Sequence, residues 1–204
     1  MTGDFTPEPP SSRLAARMGA RAEVLTNTLS VGFGSGAVTV RPLAPGDASA
    51  LFEAVRESFA DLQPWMPWCH PDYSLRDANT FIEKTRASLA AGSGFEYAVI
   101  VDGMLGGVSG INEIDKGNRR ANVGYWVRSS MTGRGVAPAA VALLREWAFA
   151  QTDLVRLEIL VAAGNTRSQR VAEKAGAVRE GVLRKRLLIY GVAHDAVMYS
   201  ITRS

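Results

Sequence analysis

The residues that could do chemistry begin with a five-residue run, Gly133-Arg134-Gly135-Val136-Ala137. Before it stands Val123-Gly124-Tyr125-Trp126-Val127, β-branched and aromatic, which reads as a buried strand. After it, Val136, Ala140, Leu143, Leu144 and Trp147 recur at helical spacing. A glycine turn between strand and helix leaves unpaired backbone N–H groups at the positive end of a helix dipole. Such a place binds anions, phosphate above all. Gly133 and Gly135 would let a ligand approach the backbone, and Pro138 suits a first helical turn. The plainer alternative is a structural turn that binds nothing. No G-x-x-x-x-G-K-[ST] occurs, so this is not a P-loop. The run Gly32, Gly34, Gly36 precedes a strand rather than a helix, and reads as a flexible linker.

The elements that must position this loop can be followed along the chain. Residues 1–36 read as a flexible extension, with Arg13, Arg17 and Arg21 spaced for a short basic helix. Residues 37–43 alternate as a first strand, and Asp47 is a plausible N-cap for a helix burying Leu51, Phe52, Val55 and Phe59. Three prolines at 64, 67 and 71 forbid regular structure, and Trp65 and Trp68 between them suit a pocket wall or a core plug. Ser74 opens a second helix to about residue 90. Strands follow at about 95–101, 105–114 and 120–127, with Asp102-Gly103 and Lys116-Gly117-Asn118 as hairpin turns. After the central helix come a strand near 155–161, a helix at 165–174 stopped by Gly176, and strands near 178–189 and 193–201. The order is that of one α+β domain, residues 37–204, with a mixed sheet.

Composition narrows the class. At 204 residues the chain holds one full domain plus a tail. Net charge is +3 with dispersed cations, which points away from nucleic acid. No apolar run reaches membrane-spanning length. Cys69 is the only cysteine, so no internal disulfide forms and a cytoplasmic location is expected. His70 and His194 stand apart, so no metal site is expected.

Three ordered motifs resemble the GCN5-related N-acetyltransferases (GNAT), and within them the Rim-type enzymes that acetylate ribosomal-protein N-termini. Residues 132–137 resemble the Q/R-x-x-G-x-G/A signature for acetyl-CoA, with Thr132 where Gln or Arg is usual. Gly124-Tyr125-Trp126-Val127 resembles the family's G-Y-W-[VL]. Residues 165–177 resemble N-x-x-S-x-x-[VL]-x-E-K-x-G-F, with Ala177 for the Phe. The resemblance covers about residues 37–203. It implies a mostly antiparallel sheet splayed between the strands of Val127 and Ile159, flanked by helices, and acetyl transfer from acetyl-CoA to a primary amine in a ternary complex.

The resemblance also implies roles. Gly133, Arg134, Gly135, Val136 and Ala137 would hold the pyrophosphate, and a backbone amide near Trp126 or Val127 would meet the oxyanion. No Tyr lies between residues 155 and 176. Ser168 is therefore the candidate proton donor to the thiolate and, with Asn165, a cofactor contact. The same pair would cap the helix whatever the function. Glu113 is the first choice of base for the incoming ammonium and Glu96 the second, with Asn112 nearby; any of these could equally be a solvated strand residue. Trp65, Trp68 and Tyr125 would wall the acceptor. The expected acceptor is a protein N-terminal α-amine, possible instead being a small amine such as an antibiotic or polyamine. A catalytically silent acyl-CoA-binding protein is the rival class. A monomer or homodimer without nucleic acid or membrane partners is expected.

Overall fold

The computed structural model describes residues 28–33 and 36–203. Its eight-stranded sheet runs in the order β1-β2-β3-β4-β5-β6-β8-β7. The strands are β1 (Leu29–Phe33), β2 (Gly36–Pro42), β3 (Phe95–Val101), β4 (Met104–Asp115), β5 (Arg120–Val127), β6 (Arg156–Ala162), β7 (Val178–Ile189) and β8 (Val192–Thr202). The helices are α1 (Ala48–Glu57), α2 (Phe59–Leu62), α3 (Leu75–Ala91), α4 (Val136–Gln151) and α5 (Thr166–Lys174). Every neighbouring pair is antiparallel except β5–β6. That pair keeps register only over Arg120↔Arg156, Ala121↔Leu157 and Asn122↔Glu158. Beyond it Val127 and Ile159 diverge, which is the expected splay.

Two apolar layers clamp the sheet, and strand alternation decides which residues enter each. Phe95, Tyr97, Val99 and Val101 of β3 face α4, where Val136, Ala140, Leu144 and Trp147 bury their stripe. Ala98 faces the other way, with Val108 and Trp126, toward Leu51, Val55, Ala78 and Ile82 of α1 and α3. By the same alternation Glu96 stands on the α1/α3 face. Trp147 meets Phe95 edge-on at 5.0 Å between ring centroids and Tyr97 at 6.0 Å. Trp147→Ala should therefore cost about 3–5 kcal/mol. At 2–4 °C per kcal/mol this lowers the thermal midpoint by roughly 10 °C, measurable by a calorimetric melt.

Two local expectations change. Gly32 and Gly36 of the expected linker stand instead in two paired strands: β1 pairs with β2 from Leu29↔Val40 to Phe33↔Gly36, while Gly34 lies outside the described residues. The pairing covers what would otherwise be an open edge of β2, and Leu29 packs on the core. The proposed basic helix at Arg13, Arg17 and Arg21 lies outside the described residues. Asp47 does stand at the N-cap position of α1, but its side chain makes no cap hydrogen bond there. Its carboxylate accepts from the Ala44 amide at 2.7 Å and from both terminal nitrogens of Arg41 at 2.7 and 2.8 Å, closing the short 3-10 turn Pro45–Asp47.

Candidate active site

The glycine loop follows β5 through a single 3-10 turn, Ser129–Met131. Gly133 (φ 75°) and Gly135 (φ 84°) both lie in the left-handed region, where a side chain is strained. Thr132 donates its hydroxyl to the Ser129 carbonyl at 2.8 Å, closing the turn in the position where the motif usually carries Gln or Arg. The loop is anchored from below. The Ser129 amide donates to the Ser58 hydroxyl at 3.0 Å, and the Ser130 amide to Glu57 Oε1 at 3.0 Å. Among the described residues, no backbone acceptor takes the amides of 133–137. They stand at the N-terminus of α4, where an anion would find donors. Arg134 is exposed and pairs with Asp102 at 3.8 Å, away from the cavity wall.

A cavity of roughly 680 Å³ opens from this loop into the gap between β5 and β6. Tyr125, Trp126 and Val127 line it from β5, and Gly133, Gly135, Val136 and Ala137 from the loop and α4. Gly164, Asn165 and Ser168 close it from the start of α5, with Arg170 and Lys174 one and two turns on. Trp65 and Met66 of the proline segment complete the wall. A Trp65 ring carbon lies 3.3 Å from where a Cβ on Gly164 would sit, so a side chain there would have to push the ring back by a few tenths of an ångström. Arg167 of α5 reaches Asp61 of α2 at 2.8 Å, tying the same two walls together. The Ser129 hydroxyl, and secondarily Arg167, holds the Asp61 carboxyl below its ordinary range.

Ser168 and Tyr125 meet in this cavity. The Tyr125 hydroxyl donates to the Ser168 carbonyl at 2.9 Å and lies 3.1 Å from the Ser168 hydroxyl. Burial pushes the Tyr125 phenol up to about 12, so it keeps its proton at neutral pH. Asn165 Oδ1 accepts from the Ser168 amide at 3.1 Å, the expected cap.

The two candidate carboxylates have different surroundings. Glu113 is exposed, at φ 49°, inside a bulge where the β4–β5 register jumps from Asn112 to Asp115. It lies outside the cavity wall. Glu96 is largely buried, and burial raises its carboxyl above the ordinary value, opposed by a hydrogen bond from Asn112 Nδ2 to Glu96 Oε1 at 2.8 Å. Asn112 Oδ1 in turn accepts from Asn122 Nδ2 at 2.8 Å. Glu96, Gly110 and Gly124 form one row of register partners across β3, β4 and β5. The Glu96 carboxylate folds over Gly110: a Cβ there would lie 2.1 Å from Oε2. It is thus about one strand spacing, roughly 5 Å, from Gly124 at the lip of the gap. Trp68 is 41% exposed and packs its ring 6.0 Å from Trp126, outside the cavity wall.

A family model for the acetyltransferase (GNAT) domain matches residues 37–178, more than half of the chain. The chain belongs to the GNAT acetyltransferases. A Bacillus subtilis (strain 168) relative, named "Putative ribosomal N-acetyltransferase YdaF", is 33% identical over 167 residues, covering 81% of this chain and 91% of its own. The ribosomal-protein-serine acetyltransferase of Escherichia coli (strain K12) is 23% identical over 176 residues, covering 86% and 97%. Among solved structures, Mycobacterium smegmatis RimJ in complex with CoA-disulfide superposes with a TM-score of 0.78, at 29% identity over 87% of this chain and 88% of its own.

Placed in this GNAT acetyltransferase, the sequence candidates divide cleanly. Trp65, Tyr125, Trp126, Val127, Gly133, Gly135, Val136, Ala137, Asn165 and Ser168 share one cavity. Glu96 and Asn112 are joined to each other off the cavity wall, and Arg134, Trp68 and Glu113 do not line it either. Arg170 and Lys174 also line the cavity and were not among the candidates. Arg170 and Lys174, four residues apart, share one helix face, but Ser168 is only two residues from Arg170 and stands on another, so spacing alone did not join them to the site. Among the described residues no group of side chains could hold a metal, and no helix is long and apolar enough to cross a membrane.

Proposed function

We propose that this chain moves the acetyl group of acetyl-CoA to the α-amine of a protein N-terminus, by direct attack within a ternary complex. One observation carries the reading: the open β5–β6 gap ends in a cradle of free amides and places two hydroxyls on its wall. The names of the relatives support the acceptor class. In this reading the amides of 133–137 hold the pyrophosphate, and Arg170 and Lys174 add cationic contacts to its phosphates. The freed edge of β5 offers backbone partners to the amide-rich pantetheine arm, and an amide near Trp126 or Val127 stabilises the oxyanion.

Ser168 then donates a proton to the departing thiolate, and Tyr125 fixes the seryl group from its carbonyl and hydroxyl sides. Glu96, not Glu113, takes the proton of the incoming ammonium, with Asn112 orienting its carboxyl. Trp65 walls the acceptor. Ser168→Ala should lower turnover about 10²-fold with acetyl-CoA affinity unchanged. Tyr125→Phe should give a smaller loss, about tenfold, rescued in part at lower pH, where thiolate protonation from solvent is easier. A loss of thermal stability alone in either variant would make the Tyr125–Ser168 contact a structural one and nothing more.

The deciding experiment is a calorimetric titration with acetyl-CoA, followed by thiol release on a panel of N-terminal peptides and small amines. Binding with peptide turnover supports the proposal. Turnover of small amines alone moves the acceptor to that class, and binding without turnover makes the protein a silent acyl-CoA binder.

A further inference from the structure

Strand β7 breaks its pairing with β8 in one place. Leu183 pairs with Ala196 and Leu187 with His194, so three residues, Arg184, Lys185 and Arg186, stand opposite the single Asp195. All three are exposed. Lys185 lies at φ 52°, a conformation that side chains seldom adopt, and its amide is held by Asp195 Oδ1 at 2.9 Å. Among the described residues none of the three forms an ion pair with a carboxylate. The bulge is therefore a fixed backbone device that presents three cations around one carboxylate, Asp195, with Lys185 Nζ 3.5 Å from the Ala193 carbonyl.

Its location gives the cations a direction. The row Leu183↔Ala196↔Ala162 runs from the bulge to the end of β6. The Ala163 amide donates to the Asp195 carbonyl at 2.8 Å, and the next residue, Gly164, lines the cavity. At the far end of β7, Tyr190 donates its hydroxyl to the Gln63 carbonyl at 2.9 Å, beside Trp65 and Met66 of the cavity wall. The bulge thus sits between two ties to the rim, about two strand spacings, roughly 10 Å, from the lip. An extended chain whose first amine lies in the cavity advances about 3.3 Å per residue, so its third to fifth residues come level with the cations.

We infer that the Arg184-Lys185-Arg186 bulge selects acceptor chains carrying carboxylates at about their third to fifth residues. The inference rests on the N-terminal acceptor reading above. The test uses the full chain and peptides that share their first two residues and carry either three Asp/Glu or three Lys at positions 3–5. The acidic peptide should show kcat/KM at least about tenfold higher, and the ratio should shrink as salt rises and the screening length falls. In the double variant Arg184→Glu, Arg186→Glu the ratio should collapse or invert. Arg184→Gln, Arg186→Gln should give an intermediate ratio. Acetyl-CoA affinity and the thermal midpoint should not move in either. Equal turnover of both peptides by the native chain, or an unchanged ratio in both variants, overturns the inference and leaves N-terminal acetylation standing. Turnover of small amines with none of either peptide overturns that reading and this inference with it.

Discussion

Gly135→Glu should abolish acetyl-CoA binding. Gly135 is the N-cap of α4 at φ 84°, in the middle of five amides with no backbone acceptor among the described residues. A carboxylate here would face the phosphates those amides are proposed to hold. Two unit charges about 4 Å apart repel by about 4 kcal/mol at the effective dielectric of a protein surface, so affinity should fall about 10³-fold. The backbone adds a second penalty, because a side chain in the left-handed region costs roughly 1–2 kcal/mol. Gly135→Ala separates the two. It carries the conformational penalty without the charge, and should lose affinity about tenfold and some thermal stability. A titration in which Gly135→Glu binds as tightly as Gly135→Ala would remove the phosphate from this loop. Arg170→Ala and Lys174→Ala would then be the variants to measure.

The same loop shows why much of this site was legible beforehand. Strand β5 is rich in β-branched and aromatic residues and ends at Val127, where the turn residues begin; its bounds fell where the pattern put them. The helix α5 likewise starts after Asn165 and stops before Gly176, two residues with strong positional meaning. What was not legible depended on register. Alternation offers Glu96 and Glu113 equally as inward residues, but the bulge after Asn112 turns Glu113 outward and leaves Glu96 over Gly110. Strand β1 was hidden by glycines, which weaken any strand signal, and formed because β2 needed a partner on its edge. Tyr125 reads as a pocket wall in sequence. Its hydroxyl finds Ser168 only because the β5–β6 gap brings the first turn of α5 beside it, a contact 43 residues distant along the chain.

Glu96→Gln should lower turnover and raise stability at the same time. As the proposed base it should supply about 10²–10³-fold of rate. The amide keeps the shape and can still accept from Asn112, whose Nδ2 lies 2.8 Å from Oε1. The stability sign follows from burial, which raises the carboxyl in the folded chain above its ordinary value of 4.5. Between 4.5 and that raised value the folded state binds more protons than the unfolded state, so stability falls as pH rises through this window. Above it the penalty is complete; below 4.5 it vanishes. The Gln variant should therefore melt higher than the native chain at pH 8, by about 2–4 °C for each kcal/mol relieved, and the two should converge near pH 4. Glu113→Gln, exposed in its bulge, should change neither rate nor melting. Gly110→Ala tests the geometry from the other side. Its Cβ would lie 2.1 Å from Glu96 Oε2, so the carboxylate stays in the chain but must leave its seat, and turnover should fall with it. A merely structural carboxylate would show the melting effect without the loss of rate. Native turnover in Glu96→Gln would return the base to another group.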